Sequence, residues 1–382
     1  MKTNTKKSEY AVFVGGQTGG PIMPLIAVAK YWQQQDSSLQ PIFIDIKKSV
    51  ASRVIPQNNF IFKSIQAGKL RRYWTIKNVL TPFMVVVGFV QALVFLIKYK
   101  PKVVVGAGGF VQIPVIFAAT VLRIPTVIHQ QDVIPSLANK ICAPFATKIT
   151  TTFEKSVKDF PQGLGFSKNY AKFNKILWTG NPSKLNSSLI TKENKEKALK
   201  LFKLQDDWPT VLVTGGGSGA LGLNQAVIHS LPELLKVAQV IHATGVGRKV
   251  QPPIDLPAVH DRYHQYEYIE NMDLALLAAD VVICRAGIGT ITDLSALSKL
   301  SIIVPMPDSH QEWNAQYIYE REAAFVKDQM DINPETFGKL VRKILFDLQL
   351  QKQFQKNIHN IMPQDATSKM LGVILETIHE PK

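Results

Sequence analysis

No aspartate or glutamate occurs between Asp45 and Asp132, yet Lys47, Lys48, Arg53, Lys63, Lys69, Arg71, Arg72, Lys77, Lys98, Lys100, Lys102 and Arg123 all fall in that span. An acid-free block of this kind implies an anionic partner, either nucleic acid or an anionic membrane surface. The block is interleaved with aliphatic runs and forms no recognised nucleic-acid-binding module, so nucleic acid is disfavoured. Cysteine is scarce: Cys142 and Cys284 sit in apolar contexts and have no metal-ligand spacing. They form no disulfide framework, which fits a reducing compartment. The polar start, Met1 to Tyr10, has no apolar signal core, so no secretion signal is expected.

What is present is an α/β chain of 382 residues, long enough for two domains, with 46% hydrophobic residues and a formal charge of +15. Its organising stretch is Cys284-Arg-Ala-Gly-Ile-Gly-Thr-Ile-Thr-Asp293. The apolar run Val281–Cys284 predicts a buried strand, Gly287 and Gly289 a tight turn, and Thr290 or Thr292 the cap of a following helix. First-turn amides beside Arg285 suit a phosphate or diphosphate.

The same strand, glycine turn and helix pattern recurs at Gly15–Gly20, Gly106–Gly109 and Gly215–Ala220. Further strands are expected at 11–14, 41–45, 103–105, 125–129, 210–214, 240–245, around 266–269 and at 300–305. Helical spacing covers Pro24–Trp32, about Pro114–Leu122 and Ser136–Ala143. Alternation of this kind predicts parallel, doubly wound sheets. The most apolar run, Val79–Ile97, is interrupted by Pro82, Gly88 and Gln91. It is read as an amphipathic helix resting in a bilayer surface, with a buried core helix or a spanning helix as the alternatives. The expected domains are 1–180, 181–350 and a helical segment 351–382 packing back on the first.

Taken in order, the motifs resemble the MurG glycosyltransferase family over nearly the whole chain. They are Thr18-Gly-Gly20 with Pro24, Gly106-Ala-Gly-Gly-Phe110, Ile128-His-Gln-Gln-Asp132 with Asn139, Gly180-Asn-Pro182 and Gly215–Ala220 with Asn224. His242–Gly245, Tyr268–Met272, Arg285–Asp293, and His310-Gln311 with Asn314-Ala315 complete the series. The resemblance implies a GT-B fold, two doubly wound (Rossmann-like) domains facing across a cleft. It implies an inverting enzyme that moves N-acetylglucosamine from UDP-GlcNAc to undecaprenyl-diphospho-N-acetylmuramoyl-pentapeptide (lipid I) at the cytoplasmic face of the cell membrane. No cofactor and no metal are implied, and the chain has no Asp-x-Asp motif.

On this resemblance, Ile269 holds the uracil through its backbone, and Ile288, Gly289 and Thr290 face the diphosphate near Arg285. Asp293 stands where the family has a ribose-binding Glu, and Gln311 binds the sugar. Thr18, Gly19, Gly20, Asp132, Lys184, Gly217 and Ser218 complete the donor set. Plainer roles are core packing for Ile269, helix capping for Asp293 and surface exposure for Gln311. Lys69, Arg71 and Arg72 would meet anionic headgroups, and Gly108 and Gly109 the acceptor. Pro21 replaces the family His, Gln130 the family Glu, and Lys184 an Arg; Asp132 is an acid where the family has Asn. Asp132 or His129 is therefore the expected base. Alternatives are transfer to a different lipid acceptor, or a non-catalytic UDP-sugar-binding membrane protein.

Overall fold

The computed structural model describes residues 9–16, 19–68, 81–162, 175–217, 219–252 and 261–380. In the first unit, β1 (Glu9–Val14), β2 (Leu39–Asp45), β3 (Ile61–Ser64), β4 (Val104–Gly106), β5 (Thr126–Gln130), β6 (Lys148–Thr151) and β7 (Ile176–Trp178) form one sheet in the order β3-β2-β1-β4-β5-β6-β7. Every pairing in it is parallel. Helices α1 (Gly19–Gln35), α2 (Val50–Gln57), α3 (Thr81–Tyr99), α4 (Gln112–Val121), α5 (Leu137–Cys142) and α6 (Glu154–Gln162) lie between the strands. Ala11 and Phe13 of β1 enter one core with α1, while Val12 and Val14 enter the opposite core with α4. Burial on both faces is why such strands read as unbroken apolar runs.

The second unit repeats the plan with β8 (Thr210–Thr214), β9 (Gln239–Ala243), β10 (Tyr263–Tyr266), β11 (Val281–Cys284), β12 (Leu300–Ile303) and β13 (Phe325–Val326), ordered β10-β9-β8-β11-β12-β13. Its helices are α7 (Lys192–Phe202), α8 (Leu221–Leu234), α9 (Met272–Ala278), α10 (Ile288–Ala296), α11 (Gln311–Tyr319), α12 (Pro334–Phe346) and α13 (Leu348–His359). The last helix, α14 (Ala366–His379), belongs to the first unit. Its Met370, Leu371, Val373 and Ile374 share the core of α1, and Lys148 pairs with Glu380 at 2.5 Å. The units are residues 1–184 with 365–382, and residues 185–364.

One local expectation changes. The strand expected near Tyr266–Ile269 ends at Tyr266, because its register is Tyr263 to Val240 through Tyr266 to Ala243, so Ile269 falls in the loop beyond the sheet. Strands β3, β6, β7 and β13 carry polar residues or span too few residues for an apolar pattern to stand out.

Helix α3 is not a core helix. Thr81, Gly88, Ala92 and Leu96 form its buried side, and Gln91 accepts a hydrogen bond from the Gln66 amide at 2.7 Å. Phe83, Val86, Val90, Val94 and Ile97 recur at three- and four-residue spacing and are 53% exposed or more. Together they make one outward apolar stripe. By length and composition α3 could cross a membrane, with a mean hydropathy of 2.0 over its best window.

Candidate functional site

In each sheet the strand order reverses once, between β1 and β4 and between β8 and β11. The loops leaving those strands therefore lie side by side at the carboxyl edge, where open α/β sheets bind ligands. All four glycine turns occupy these places.

In the second unit, α10 starts directly after β11 with Gly287 as its N-cap, a residue without a side chain to cap with. Thr292 does not cap: its Oγ1 donates to the Ile288 carbonyl at 2.8 Å. The first-turn amides of Ile288, Gly289 and Thr290 thus carry the helix's partial positive charge at an end without a side-chain cap. Gly289 is exposed, and a Cβ there would meet nothing within 4 Å. Asp293 lies four residues on, on the face of Gly289, with its side chain leaning toward the helix N-terminus. The Gln311 Oε1 accepts from the Met306 amide at 3.1 Å, and its Nε2 lies 3.9 Å from where a Gly287 Cβ would sit. Asn314 fixes the same corner by donating to the Ala286 carbonyl at 3.1 Å. The Ile269 side chain is 6% exposed, and its backbone forms no hydrogen bond among the described residues.

Arg285 is engaged within the second unit. Its guanidinium donates to the carbonyls of Val304 (3.2 Å) and Pro305 (2.7 Å) and to Gln329 Oε1. It is 8% exposed, and burial lowers its pKa. Its observed role is to tie the end of β11 to the loop after β12. Gln329 was invisible to sequence reasoning, because 44 residues separate it from Arg285. Its amide also sits where a Cβ on Gly222 would fall, so it braces the start of α8 as well. The α8 turn keeps Gly217 exposed with nothing within 4 Å of an added Cβ, while Ser218 lies outside the described residues.

In the first unit, the glycine turns after β1 and β4 touch. A Cβ on Gly16 would lie 2.7 Å from the Gly109 Cα, and one on Gly109 2.6 Å from the Gly16 Cα. Gly19 and Gly20 open α1, and the Gly20 carbonyl accepts from Gln131 at 2.9 Å. Pro21 stands in that helix's first turn, where a missing N–H breaks no helical bond. Gly108 donates its amide to Gln112 Oε1 at 2.8 Å, so this N–H is directed inward. Asp132 is half-buried in the loop after β5, and Lys184 is exposed. Thr18, Lys69, Arg71 and Arg72 lie outside the described residues.

His129 is fully buried. Its Nδ1 is 2.9 Å from Thr150 Oγ1, and its Nε2 is 3.0 Å from Asn181 Oδ1 and 3.3 Å from Thr152 Oγ1. With both nitrogens engaged inside the protein, it presents no base to a substrate in this arrangement. Burial lowers its pKa to about 4, outweighing the hydrogen bonds to Asn181 and Thr150, and burial does the same to His242. Above about pH 6.5 both the folded and the unfolded chain hold these rings neutral, and the stabilisation is complete. As pH falls toward 4 the unfolded chain takes up the protons first. Each histidine is then expected to cost roughly 3 kcal/mol of stability. Urea midpoints measured across this window should drop; a flat profile would contradict it.

Residues 11–151 match the glycosyltransferase family 28 N-terminal domain and residues 210–369 its C-terminal domain. A UDP-N-acetylglucosamine–N-acetylmuramyl-(pentapeptide) pyrophosphoryl-undecaprenol N-acetylglucosamine transferase of Caldicellulosiruptor saccharolyticus is 35% identical, covering 96% of each chain. One of the same name from Lachnoclostridium phytofermentans is 35% identical over 96% of this chain and 98% of its own. The crystal structure of Acinetobacter baumannii MurG superposes with a TM-score of 0.71 at 24% identity, covering 96% of this chain and 99% of its own. A UDP-GlcNAc 2-epimerase from Neisseria meningitidis, bound to UDP-GlcNAc, shares the fold at a TM-score of 0.66 and 13% identity, covering 96% of this chain and 100% of its own. The protein has the two doubly wound units of a GT-B fold and belongs to glycosyltransferase family 28, and within it to the MurG family.

Proposed function

We propose that this protein transfers N-acetylglucosamine from UDP-GlcNAc to lipid I, with inversion at the anomeric carbon, to give lipid II for peptidoglycan. The observation that carries the reading is 35% identity, end to end, to transferases of that name. The second unit supports it chemically. The α10 N-terminus suits a diphosphate, the Asp293 carboxylate suits ribose hydroxyls, and the Gln311 amide, held by Met306, suits the sugar. The developing charge on the leaving UDP is stabilised by backbone amides, with Arg285 holding the adjoining strand ends in register. The acceptor hydroxyl loses its proton as its oxygen attacks the anomeric carbon, and we assign the base to Asp132.

Labelled N-acetylglucosamine offered as UDP-GlcNAc should appear in a lipid I analogue. Transfer to a diacylglycerol acceptor instead, or UDP-GlcNAc binding with no transfer to lipid I, would overturn the reading.

The acceptor's lipid places the reaction at a membrane face, which we take to be the cytoplasmic one. The outward stripe of α3 and the basic residues around it supply the contact. Each of its apolar side chains gains on the order of 1–2 kcal/mol if largely withdrawn from water. The protein should co-sediment with anionic vesicles and release with salt. Phe83→Glu with Val90→Glu should abolish sedimentation while leaving transfer to a short-chain, soluble lipid I analogue intact. Sedimentation that survives this double substitution would rule out α3 as the membrane contact.

A further inference from the structure

Three buried carboxamides connect the loops at the first unit's carboxyl edge. Gln112, Asn139 and Gln130 are each 1% exposed or less. Gln112 Oε1 accepts the Gly108 amide at 2.8 Å, and its Nε2 donates to Asn139 Oδ1 at 2.5 Å. Asn139 Nδ2 donates to Gln130 Oε1 at 2.6 Å and to the His129 carbonyl at 3.0 Å. Gln130 Nε2 donates to the carbonyls of Asp132 (2.7 Å) and Ile134 (2.9 Å), and its Oε1 also accepts the Ser136 amide at 3.2 Å. Both N–H bonds of Gln130 and of Asn139 are used, and each of the three amide oxygens accepts at least one bond. The relay therefore runs in one direction, from the Gly108 amide to the Asp132 carbonyl.

We infer that Gln112, Asn139 and Gln130 act together as a relay that positions the Asp132 loop against the glycine turn after β4, so that Gln130 is a positioning residue of the transfer reaction and not the remnant of a catalytic carboxylate. The chemistry at residue 130 is decisive. Two backbone carbonyls face that side chain, and only a group with two N–H bonds satisfies both. A carboxylate donates none and would set its charge against two carbonyl oxygens; a protonated carboxyl donates one. Gln130→Glu, which restores the family's residue, is therefore a damaging change here.

This inference rests on the transferase reading with Asp132 as the base, so its test includes an arm that needs no activity. In Gln130→Glu, kcat should fall about tenfold or more near pH 8, while KM for UDP-GlcNAc stays within about twofold. The ratio of variant to unsubstituted kcat should recover as pH is lowered toward about 6, as the buried carboxyl gains its proton. Hydrogen exchange at the Ser136 and Gly108 amides should quicken by about tenfold, with β1 and β4 amides unchanged as the check on folding. Gln112→Met, at the far end of the relay, should quicken Gly108 exchange and lower kcat in the same sense; it serves if Gln130→Glu fails to fold. Unchanged exchange at both amides would overturn the relay, whatever the activity. Altered exchange with undiminished kcat across the pH range would overturn the positioning role. Should the unsubstituted protein show no transfer at all, the transferase reading fails separately, and exchange alone decides the relay.

Discussion

Asp132→Asn is expected to lower turnover by about 10²–10⁴-fold while UDP-GlcNAc binds as before. The substitution is nearly isosteric and replaces the proton-accepting carboxylate with a neutral amide. The backbone at this position stays held by Gln130 at 2.7 Å, so the loop keeps its place. The neighbouring His129 is no substitute, because its ring is fully buried with both nitrogens engaged. Single-turnover transfer from saturating donor, with donor affinity by calorimetry, separates the two effects. Turnover close to that of the unsubstituted enzyme would remove Asp132 from the chemistry and return the question of the base to another residue.

Gly219→Ala is expected to disable the glycine loop after β8. Gly219 has a φ of +68°, a conformation that costs a Cβ-bearing residue about 1 kcal/mol. The added methyl would also collide with the Thr244 carbonyl and come within 2.8 Å of the Gly245 Cα. Those atoms are backbone and cannot swing aside. The combined cost is roughly 2–4 kcal/mol of unfolding free energy. Moving the loop should also displace the start of α8 and weaken UDP-GlcNAc binding by tenfold or more, since Arg248 joins the two segments through the Gly219 carbonyl at 3.2 Å. Gly217→Ala is the contrast. It has open space around the added methyl, so stability should hold within about 0.5 kcal/mol. Binding should weaken only if the donor comes close to that turn. Equal stability for the two variants, by urea unfolding, would show that the close approach at Gly219 is not a constraint.

Much of the fold was legible because its central strands are buried on both faces. Val211–Val213 and Val281–Cys284 carry no polar side chain, and a parallel sheet covered by helices hides such runs on both faces. The glycine turns were legible for a related reason: backbone must approach backbone at a switch point, as Gly16 and Gly109 do, and only glycine permits it. The fate of Val79–Ile97 was not decided by composition. Its burial depends on which side of α3 docks, and the small residues Gly88 and Ala92 with Leu96 take that side, leaving the larger ones outward.

By itself, then, the sequence determined the two doubly wound units, the places of the four glycine turns and the family. Those features are local: a residue's type and its spacing to near neighbours suffice to specify a strand, a turn or a helix start. Only the tertiary structure decided that Arg285 braces strand ends with Gln329, that His129 is interior, and that Gln130 is joined through Asn139 to Gln112. Each of these is a hydrogen bond between residues far apart in the chain. A polar side chain's role is set by which donors and acceptors folding brings to it, and no local pattern encodes that choice.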